Sequence, residues 1–372
     1  MNAREAFNYP KGMYLLNHSV GLPPVTTDEA WKDAFLMPWQ AAREGTWPKW
    51  MPVIDAFRDE IAGLLNGLPA EVCPQLNLSS ALTKILTSLT LPENRQGILY
   101  SEEDFPTIGF VLQQAERAGH TLRCLPREAD CLDLQTWETA LTSDIGVALI
   151  THVHSNTSRQ MPVDQISALC RERGIISVVD VAQSAGVVPI DVQTWRVHFL
   201  IGSCVKWLCG GPGAGFLWVA SDTIEQCEPR DVGWFSHAAP FEFDIHHFRY
   251  AEDALRFWGG TPAIQSYAVA TNSLRTLSAI GSERIAQHNR ALTRRLMAGL
   301  DPALIVTPTA DEHRGGTVVV GDEALDTQKV DSALREAGVE YDRRAYGIRL
   351  SPHIYNDERE IDTVLACLRS AS

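Results

Sequence analysis

One lysine of the chain has surroundings that suit covalent chemistry. The chain has only six lysines, and Lys206 alone follows an apolar run at 197–201 and precedes a glycine-rich stretch at 209–213. Glycines let the backbone approach a flat ligand closely, and an amine at such a place can attack an aldehyde or move a proton. A surface lysine at the end of a strand is the alternative.

A carboxylate occupies a comparable position. Asp180 ends the apolar run 175–179. Open α/β folds place ligand contacts at the carboxyl ends of buried parallel strands, and a carboxylate beside a protonated ring nitrogen stays ionised. Gln183 could hydrogen-bond a phenolate of the same ligand. The alternatives are a helix N-cap for Asp180 and a solvated turn residue for Gln183.

Hydroxyl groups mark a candidate phosphate site. The segment 77–83, Asn-Leu-Ser-Ser-Ala-Leu-Thr, leads into an apolar helix predicted at 84–91. A helix N-terminus offers free amides and a favourable dipole to an anion, and neighbouring hydroxyls add donors. Ser203, just before the lysine, adds another hydroxyl. The alternative is that Ser79 or Ser80 simply caps the helix, which would account for the same residues without a ligand.

An aromatic ring is the last candidate ligand-binding group. Phe105 follows a strand predicted at 98–100, where its face could stack on a flat cofactor; a core phenylalanine is the alternative. Pyridoxal phosphate (PLP) requires an amine, an acid for its pyridine nitrogen and a phosphate cradle. The sequence therefore predicts a PLP enzyme in which Lys206 forms a Schiff base with the cofactor and Asp180 supports the ring.

Two histidines suggest a different chemistry. The spacing of His152 and His154 places both rings on one face of a strand, as the ligands of a metal hydrolase require. No cluster of cysteines or aspartates lies nearby in the sequence. Two such histidines more often simply mark the end of a strand beside the site.

The elements that must position these residues follow an α/β pattern. Short apolar or β-branched runs are typical of buried parallel strands, and they alternate with helical patterns such as 163–173. Strand-helix-strand units of this kind build a doubly wound domain. The runs lie at 98–100, 146–151, 175–179 and 199–201.

The sequence pattern changes after 259–262, where long predicted helices replace the alternation of strands and helices. Helices are predicted at 263–280, 282–300, 327–337 and from 357, and strands at 317–320 and 348–351. We therefore expect an N-terminal arm at 1–20, a large domain at 21–262 and a small α/β domain at 263–372.

The charge and composition of the chain limit the kinds of partner that it can bind. The formal charge is −14, and the basic residues form no runs that would bind a phosphate backbone, which argues against nucleic acid. No segment is apolar for long enough to cross a bilayer, so we expect a cytoplasmic protein. The eight scattered cysteines are interpreted as reduced thiols.

Together, Asp180-x-x-Gln183 and Lys206 resemble the class V aminotransferase group of PLP enzymes. That resemblance implies fold type I, with a mainly parallel seven-stranded sheet between helices and a smaller C-terminal α/β domain. The stretch 14–21, Tyr-Leu-Leu-Asn-His-Ser-Val-Gly, resembles the opening motif of isopenicillin-N-epimerase-like members, and this gives Asn17 and His18 substrate-binding roles.

Further motifs extend the resemblance. The stretch 152–157, His-Val-His-Ser-Asn-Thr, is similar to the segment whose asparagine contacts the phenolic oxygen of the cofactor, which assigns that role to Asn156. The stretch 347–356, Gly-Ile-Arg-Leu-Ser-Pro-His-Ile-Tyr-Asn, is similar to the motif whose arginine binds the substrate α-carboxylate. The residue in that position is Arg349, and its planar fork suits a carboxylate.

Several stretches look specifically like kynureninase: 81–83, 105–107, 206–213 and 233–237. In that family the residues that match Trp234 and Thr261 lie near the phosphate of the neighbouring subunit, which implies a homodimer with shared active sites. The implied cofactor contacts near the phosphate are Ser80, Ala81, Leu82, Thr83, Ser203, Trp234 and Thr261.

Departures from these families shape the functional prediction. Val205 stands where desulfurases have histidine and kynureninases tyrosine, and Ile108 replaces an aspartate of kynureninases. The absence of a cysteine between Val339 and Arg349 argues against a desulfurase. We predict transamination of an amino acid; the alternatives are a kynureninase-like carbon-carbon lyase, a non-catalytic PLP-binding relative and the metal hydrolase.

Overall fold

The computed structural model describes residues 3–41, 45–321 and 325–369, so the outermost residues of the predicted arm and of the small domain lie outside the described ranges. Within them the chain forms strands that are short and mostly buried. These strands are β1 (Met13–Tyr14), β2 (Val72–Gln75), β3 (Gly97–Ser101), β4 (Thr121–Leu125), β5 (Ile145–Thr151), β6 (Ile176–Asp180), β7 (Phe199–Ser203), β8 (Gly215–Val219), β9 (Val318–Val320), β10 (Val339–Glu340), β11 (Asp342–Arg344) and β12 (Gly347–Leu350).

Helices alternate with these strands along the chain. They are α1 (Thr27–Trp31), α2 (Met37–Ala41), α3 (Trp47–Leu65), α4 (Leu78–Ser88), α5 (Pro106–Arg117), α6 (Leu134–Ala140), α7 (Val163–Glu172), α8 (Val192–Trp195), α9 (Ser221–Ile224), α10 (Ile264–Ile280), α11 (Ser282–Ala298), α12 (Thr327–Glu336) and α13 (Glu358–Arg369). A π-helical turn, Lys32–Leu36, links α1 to α2.

A seven-stranded sheet forms the centre of the fold, in the order β2-β8-β7-β6-β5-β3-β4. Every pairing from β7 to β4 is parallel, and β8 runs antiparallel to both of its neighbours. All residues of β5 and β8 are buried, as expected for strands covered on both faces. The predicted α/β class with a mainly parallel seven-stranded sheet is confirmed.

The predicted strands and most predicted helices form within one or two residues of their expected bounds. The prediction of a helix at 84–91 is wrong in its limits, because α4 begins at Leu78 and ends at Ser88. The physical reason is the side chain of Asn77, whose Oδ1 accepts a hydrogen bond of 2.9 Å from the amide of Ser80 and so caps the helix earlier.

The carboxyl ends of the central strands meet at one edge of the sheet. β5 ends at Thr151, β6 at Asp180 and β7 at Ser203. Because these three strands are adjacent and parallel, the residues that follow them converge there. The fold thus gathers the loops that carry Asp180 and Lys206 at the same edge.

A second hydrophobic core lies towards the C-terminus. The antiparallel sheet β11-β12-β9 packs with α11, α12 and α13, and its buried side chains include Val318, Ile348 and Leu365. The N-terminal segment joins this part of the chain, since β1 pairs with β10 and Leu15 is buried among the same side chains.

Helix α10 packs in the first core rather than the second. Ile264, Tyr267 and Leu274 are buried among the side chains around the central sheet, and α10 contacts α3. The domain division after residue 262 stays a prediction, and this packing favours a later boundary, near Gly281. Among the described helices, none has the length and apolar character that crossing a bilayer requires.

Gly202 offers a test of the packing beside the lysine loop. It lies in β7 directly opposite Phe216 of β8, and a Cβ on Gly202 would lie 2.1 Å from the Cζ atom of that buried ring. We expect Gly202→Ala to lower the free energy of unfolding by about 1–3 kcal/mol, because the ring must move within a packed core. Urea unfolding measures the change.

The matched control is Gly109→Ala in α5, where an added Cβ meets nothing within 4 Å. Alanine has the higher helix propensity, so this variant should be more stable than the wild type by about 0.5–1 kcal/mol. Equal stability of the two variants would contradict the packing described for β7 and β8.

Candidate active site

A cleft of about 210 Å³ opens at the carboxyl ends of β5, β6 and β7. It collects side chains from the loops after these strands and from the first turns of α4 and α5. The lining residues are Asn77, Leu78, Ser79, Phe105, Thr107, Ile108, Thr151, Val153, Ser155, Asp180, Ala182, Gln183, Ser203, Val205 and Lys206. Of the predicted site residues, the structure thus brings together Phe105, Asp180, Gln183, Ser203 and Lys206.

The loop that carries Lys206 is fixed by backbone hydrogen bonds. The amide of Gly21 donates to the carbonyl of Val205 at 2.9 Å, and the amide of Cys209 donates to the carbonyl of Lys206 at 2.9 Å. A Cβ on Gly21 would lie 2.1 Å from the Lys206 carbonyl oxygen, so only glycine permits this approach. Gly21, which directly follows the predicted N-terminal arm, therefore holds the lysine loop in place.

Burial prepares the Lys206 amine for reaction. Loss of solvent lowers its pKa to about 8, with Asp180 opposing the change and Arg349 and Arg344 adding to it. A lysine with this pKa has a sizeable neutral fraction near neutral pH, and the neutral amine is the nucleophile. The surface-lysine interpretation is wrong, because the side chain lies within the cleft.

Asp180 is buried at the end of β6, and its Oδ1 accepts a hydrogen bond of 2.8 Å from the amide of Ala182. Burial raises the pKa of this carboxyl, while the Ala182 amide and the charge of Lys206 act in the opposite direction. Asp180 and Lys206 line the same cleft and attract each other. The bond to Ala182 caps the following turn, so the capping and ligand-binding interpretations are compatible.

Phe105 is 39% exposed, and so it is not a core residue. The Lys206 Nζ atom lies 5.6 Å from the centroid of its ring. Its neighbour Asp104, which sequence reasoning missed, fixes the segment: Asp104 accepts hydrogen bonds of 2.8 Å from the Ser101 amide and 2.6 Å from the Thr151 hydroxyl. An aromatic face is thus held beside the amine.

The N-terminus of α4 reaches the cleft one turn earlier than predicted. By helix geometry the free amides belong to the first residues, Leu78 and Ser79, and both line the cleft with Asn77. The predicted contacts lie elsewhere: Ser80 borders a separate cavity, and Thr83 donates its hydroxyl to the Ser79 carbonyl at 2.9 Å.

The side chains of two other predicted contacts of this helix, Ala81 and Leu82, are buried in the first hydrophobic core and pack α4 against it. Contacts of 80–83 with a phosphate stay a prediction.

Gln183 is held by two partners. Its Nε2 donates to the His18 carbonyl at 3.0 Å, and its Oε1 accepts from the Trp207 indole at 3.2 Å. The amide therefore links the N-terminal arm to the lysine loop. Ser203 Oγ accepts a long hydrogen bond of 3.5 Å from the Val205 amide, and the residue lines the cleft.

Three predicted contacts lie outside the lining. Asn156 is partly buried beside the lining residue Ser155. Trp234 packs against Trp47, with ring centroids 5.2 Å apart, in an aromatic cluster away from the cleft. Thr261 is exposed and shares the separate cavity with Ser80.

The prediction that His152 and His154 share one face of a strand is wrong. β5 ends at Thr151, so both histidines follow the strand and turn towards different neighbours. His152 packs edge-on against Trp195, with centroids 4.6 Å apart, and His154 Nε2 lies 4.0 Å from Asp104.

Burial lowers the pKa of His152 to about 3 and that of His154 to about 4. Over the described ranges, no three His, Cys, Asp or Glu side chains group closely enough to hold a metal ion.

Arg349 lies in a buried polar cluster beside the lysine. Its Nε donates to Asp342 Oδ1 at 2.7 Å, its Nη2 donates to Oδ2 of the same residue, and its Nη1 donates to the Ser155 carbonyl at 2.9 Å. Sequence reasoning missed Asp342. Asp342 could have been found from a predicted hairpin, because a tight turn at 345–346 places residues 342 and 349 opposite each other.

The predicted residues Asn17 and His18 belong to the same cluster. Asn17 Nδ2 donates to the Ser351 carbonyl at 2.7 Å, and its Oδ1 accepts from the Tyr355 hydroxyl. His18 contacts Ser351 Oγ at 2.7 Å and Asp342 Oδ1 at 2.9 Å. Both side chains are committed to holding the arm against the segment 342–355.

Comparison with known families gives one match over most of the chain. The family described as "Aminotransferase class-V" matches residues 49–364. An uncharacterized aminotransferase, YcbU of Bacillus subtilis, is 28% identical over 316 residues, which are 85% of this chain and 83% of that protein. The kynureninase of Deinococcus radiodurans is 30% identical over 358 residues, covering 92% of this chain and 85% of that one.

Solved structures share the fold at low identity. A cysteine desulfurase from Thermococcus onnurineus superposes with a TM-score of 0.85 at 20% identity, covering 97% of this chain and 94% of that chain. A variant of C-DES with glycine covalently linked to its PLP cofactor gives a TM-score of 0.87 at 22% identity and covers 99% of both chains. These likenesses confirm the predicted fold.

The pKa of Lys206 can be measured on the unliganded protein. We expect the rate of acetylation of its amine to rise with pH through a midpoint near 8, because burial lowers the pKa of this lysine from its ordinary value to about 8. Asp180→Asn removes the charge that raises this pKa, so the midpoint should move to lower pH. Competitive labelling with acetic anhydride, followed by peptide mass spectrometry, gives both curves.

Asp144→Asn is the control, since Asp144 is exposed and precedes β5 at the opposite end of the sheet. It should leave the midpoint unchanged. An upward shift in Asp180→Asn would contradict the electrostatic coupling between the two residues.

Proposed function

The chain belongs to the class V aminotransferase family, and we propose that it transaminates an amino acid with PLP held covalently by Lys206. A single observation carries this proposal: an amine with a pKa near 8 and a buried carboxylate line the same cleft at the carboxyl edge of a parallel sheet. The matches to aminotransferases and kynureninases support the same class of enzyme.

The residues of the cleft fit the cofactor. Lys206 offers the amine, Asp180 the carboxylate for the pyridine nitrogen, and Phe105 a face for the ring. The start of α4 at Leu78 and Ser79 offers free amides to a phosphate. When bound, PLP withdraws electrons from the α-carbon of an amino acid and so makes its proton removable.

The protein must then supply acid-base chemistry. The amine of Lys206, once released from the cofactor, is the base that takes and returns the α-proton, and its low pKa keeps part of it neutral. Asp180 lines the same cleft, where its carboxylate would stabilise a positive ring nitrogen. The apolar side chains Val205 and Ile108 line the cleft and limit the water that reaches the reacting atoms.

A kynureninase-like lyase is the second candidate. It is favoured by 30% identity to the kynureninase of Deinococcus radiodurans over 92% of this chain. The side chains at Val205 and Ile108 weigh against it, because neither can donate or accept a proton where kynureninases have tyrosine and aspartate. We therefore place transamination first.

A product assay separates the candidates. We expect the holoenzyme to convert an amino donor and a keto-acid acceptor into the exchanged pair, and to release no anthranilate from L-kynurenine. Lys206→Ala should lose at least about 1,000-fold in rate, since it removes both the attachment point and the base. Chromatography of the products over a panel of amino acids and keto acids measures this.

Lys329→Ala, on the exposed surface of α12, is the matched control and should retain full activity. Anthranilate formation would reverse the order of the two candidates. A visible absorption band that no amino acid changes would instead favour the non-catalytic relative.

We also propose that the protein is a cytoplasmic homodimer whose subunits share active sites. A patch of exposed apolar side chains supports an interface near Trp234: Phe243 is 73% exposed, Ile245 89% and Phe248 46%. Contiguous apolar surface of this kind marks interaction sites. Thr261 is exposed too, as a contact with a neighbouring subunit requires.

Subunit mixing tests the shared sites. Lys206→Ala and Trp234→Ala should each be inactive alone, and a refolded equimolar mixture should recover about a quarter of wild-type activity, since half of the dimers then contain one intact site of two. Light scattering measures the mass of each species. Independent sites within one chain predict no recovery, and a monomer at assay concentration would also contradict the proposal.

A further inference from the structure

A second buried lysine lies outside the cleft. Lys84 belongs to α4, and its side chain is only 7% exposed. Its Nζ donates to the Phe257 carbonyl at 2.9 Å and to the Trp258 carbonyl, and it lies 3.6 Å from Asp231 Oδ2. A buried ammonium group is costly unless such acceptors surround it. These contacts therefore fix the start of the loop 257–262 against α4.

The same loop is held by other contacts. Gln75, at the end of β2, donates its Nε2 to the Phe257 carbonyl at 3.0 Å, and the Phe235 amide donates to the Gly259 carbonyl at 3.0 Å. Gly259 has a φ of +117°, and a Cβ on it would lie 3.1 Å from Lys84 Nζ. Only glycine adopts this conformation readily. The position of the loop is thus fitted to the lysine beneath it.

The tip of the loop is exposed and lies apart from the cleft of its own chain. Gly260 and Thr261 are both exposed, and they border a cavity of about 180 Å³ together with Lys84. Among the described residues that line the cleft at Lys206, none belongs to 257–262. A cofactor site that uses this loop is therefore the site of a neighbouring subunit.

The loop also adjoins the apolar patch that we propose as a subunit interface. Asp231 and Phe235 lie at the start of the segment 231–248, which carries that patch. Gly233 of this segment packs so closely on the loop that a Cβ on it would lie 2.4 Å from the carbonyl carbon of Gly259. A subunit that docks on the patch therefore meets the loop as well.

Two routes connect Lys84 with a cofactor. The first runs through α4, whose first turn lines the cleft of the same chain, and the second runs through the loop 257–262. Buried apolar side chains such as Leu82 and Ile85 already pack α4 into the core without the lysine. The three contacts of the Lys84 amine, by contrast, all lie on the loop or beside it. They favour the second route.

We propose that Lys84 is a positioning residue that sets the loop 257–262 of its own chain for the cofactor site of the neighbouring subunit. The inference rests on the proposed function and on its shared sites. It adds a residue whose effect crosses the subunit boundary although its side chain is buried within one chain.

Hybrid dimers test the direction of this effect. Subunits with two different affinity tags are coexpressed, and dimers that carry both tags are isolated. The first hybrid pairs a Lys84→Met subunit with a Lys206→Ala subunit. Only the Lys84→Met subunit keeps Lys206, so the visible absorption of PLP bound to that lysine reports on its cleft alone.

The neighbour supplies an intact loop to this cleft. We therefore expect the first hybrid to bind PLP with a Kd within about twofold of the wild type. The Lys84→Met homodimer lacks an intact loop on either side, and it should bind PLP about tenfold or more weakly, the effect of losing a charge-assisted hydrogen bond. Absorption titration with PLP gives each Kd.

The converse hybrid pairs a wild-type subunit with a Lys84→Met/Lys206→Ala subunit. Its one cleft with Lys206 belongs to an intact chain but receives the altered loop, so its PLP affinity should fall about as far as in the Lys84→Met homodimer. An effect within one chain predicts the opposite pattern of weak binding in the first hybrid and wild-type binding in the second. That pattern overturns the proposal, and so do equal affinities in the two hybrids.

Thr87→Met is the matched control, because it places the same side chain on the same helix. The Thr87 hydroxyl donates to the Thr83 carbonyl of α4 at 2.8 Å. This homodimer should bind PLP as the wild type does.

Gly259→Ala is a second variant that alters the loop and keeps Lys84. It should give the same two hybrid patterns, and it serves in place of Lys84→Met if that variant does not fold. A wild-type dimer that binds PLP while the Lys84→Met homodimer matches it contradicts this inference alone. A wild-type protein that shows no absorption with PLP contradicts the proposed function, and the inference falls with it.

Discussion

The site depends on one electrostatic constraint, a lysine amine kept in an apolar cleft together with the buried carboxylate of Asp180. Burial alone would lower the pKa of Lys206 further, and Asp180 opposes this so that the value stays near 8. The same burial raises the pKa of Asp180, which the charge of Lys206 opposes. Each residue therefore keeps the other reactive, and the parallel sheet serves to bring their two loops to one edge.

Much of this arrangement could be predicted from the sequence because it follows strand ends. Asp180 and Ser203 end two apolar runs, and adjacent parallel strands have their carboxyl ends on the same side. Neither inference needs knowledge of distant contacts. The same local logic located Phe105, since a segment that follows a strand must emerge at that edge.

Sequence reasoning was less successful where one particular hydrogen bond decides the local structure. The start of α4 depends on the side-chain oxygen of Asn77, which caps the helix so that it begins at Leu78 rather than at residue 84. Arg349 donates to Asp342 across a hairpin, and Asp342 in turn contacts His18, which lies 324 positions earlier in the chain. Motif similarity assigned a role to Arg349, which stays a prediction, but it carried no information on the neighbours of that side chain.

The arm around Asn17 has a consequence for how the protein becomes active. The Asn17 side chain donates a hydrogen bond to the carbonyl of Ser351, 334 positions further along the chain. The His18 carbonyl accepts a hydrogen bond from Gln183, and its ring contacts Asp342. Closing contacts between such distant segments is slow because a long loop must be ordered first. During synthesis the arm leaves the ribosome well before its partners at 342–355. The lysine loop that the arm clamps is thus completed as a late folding event, after the central sheet.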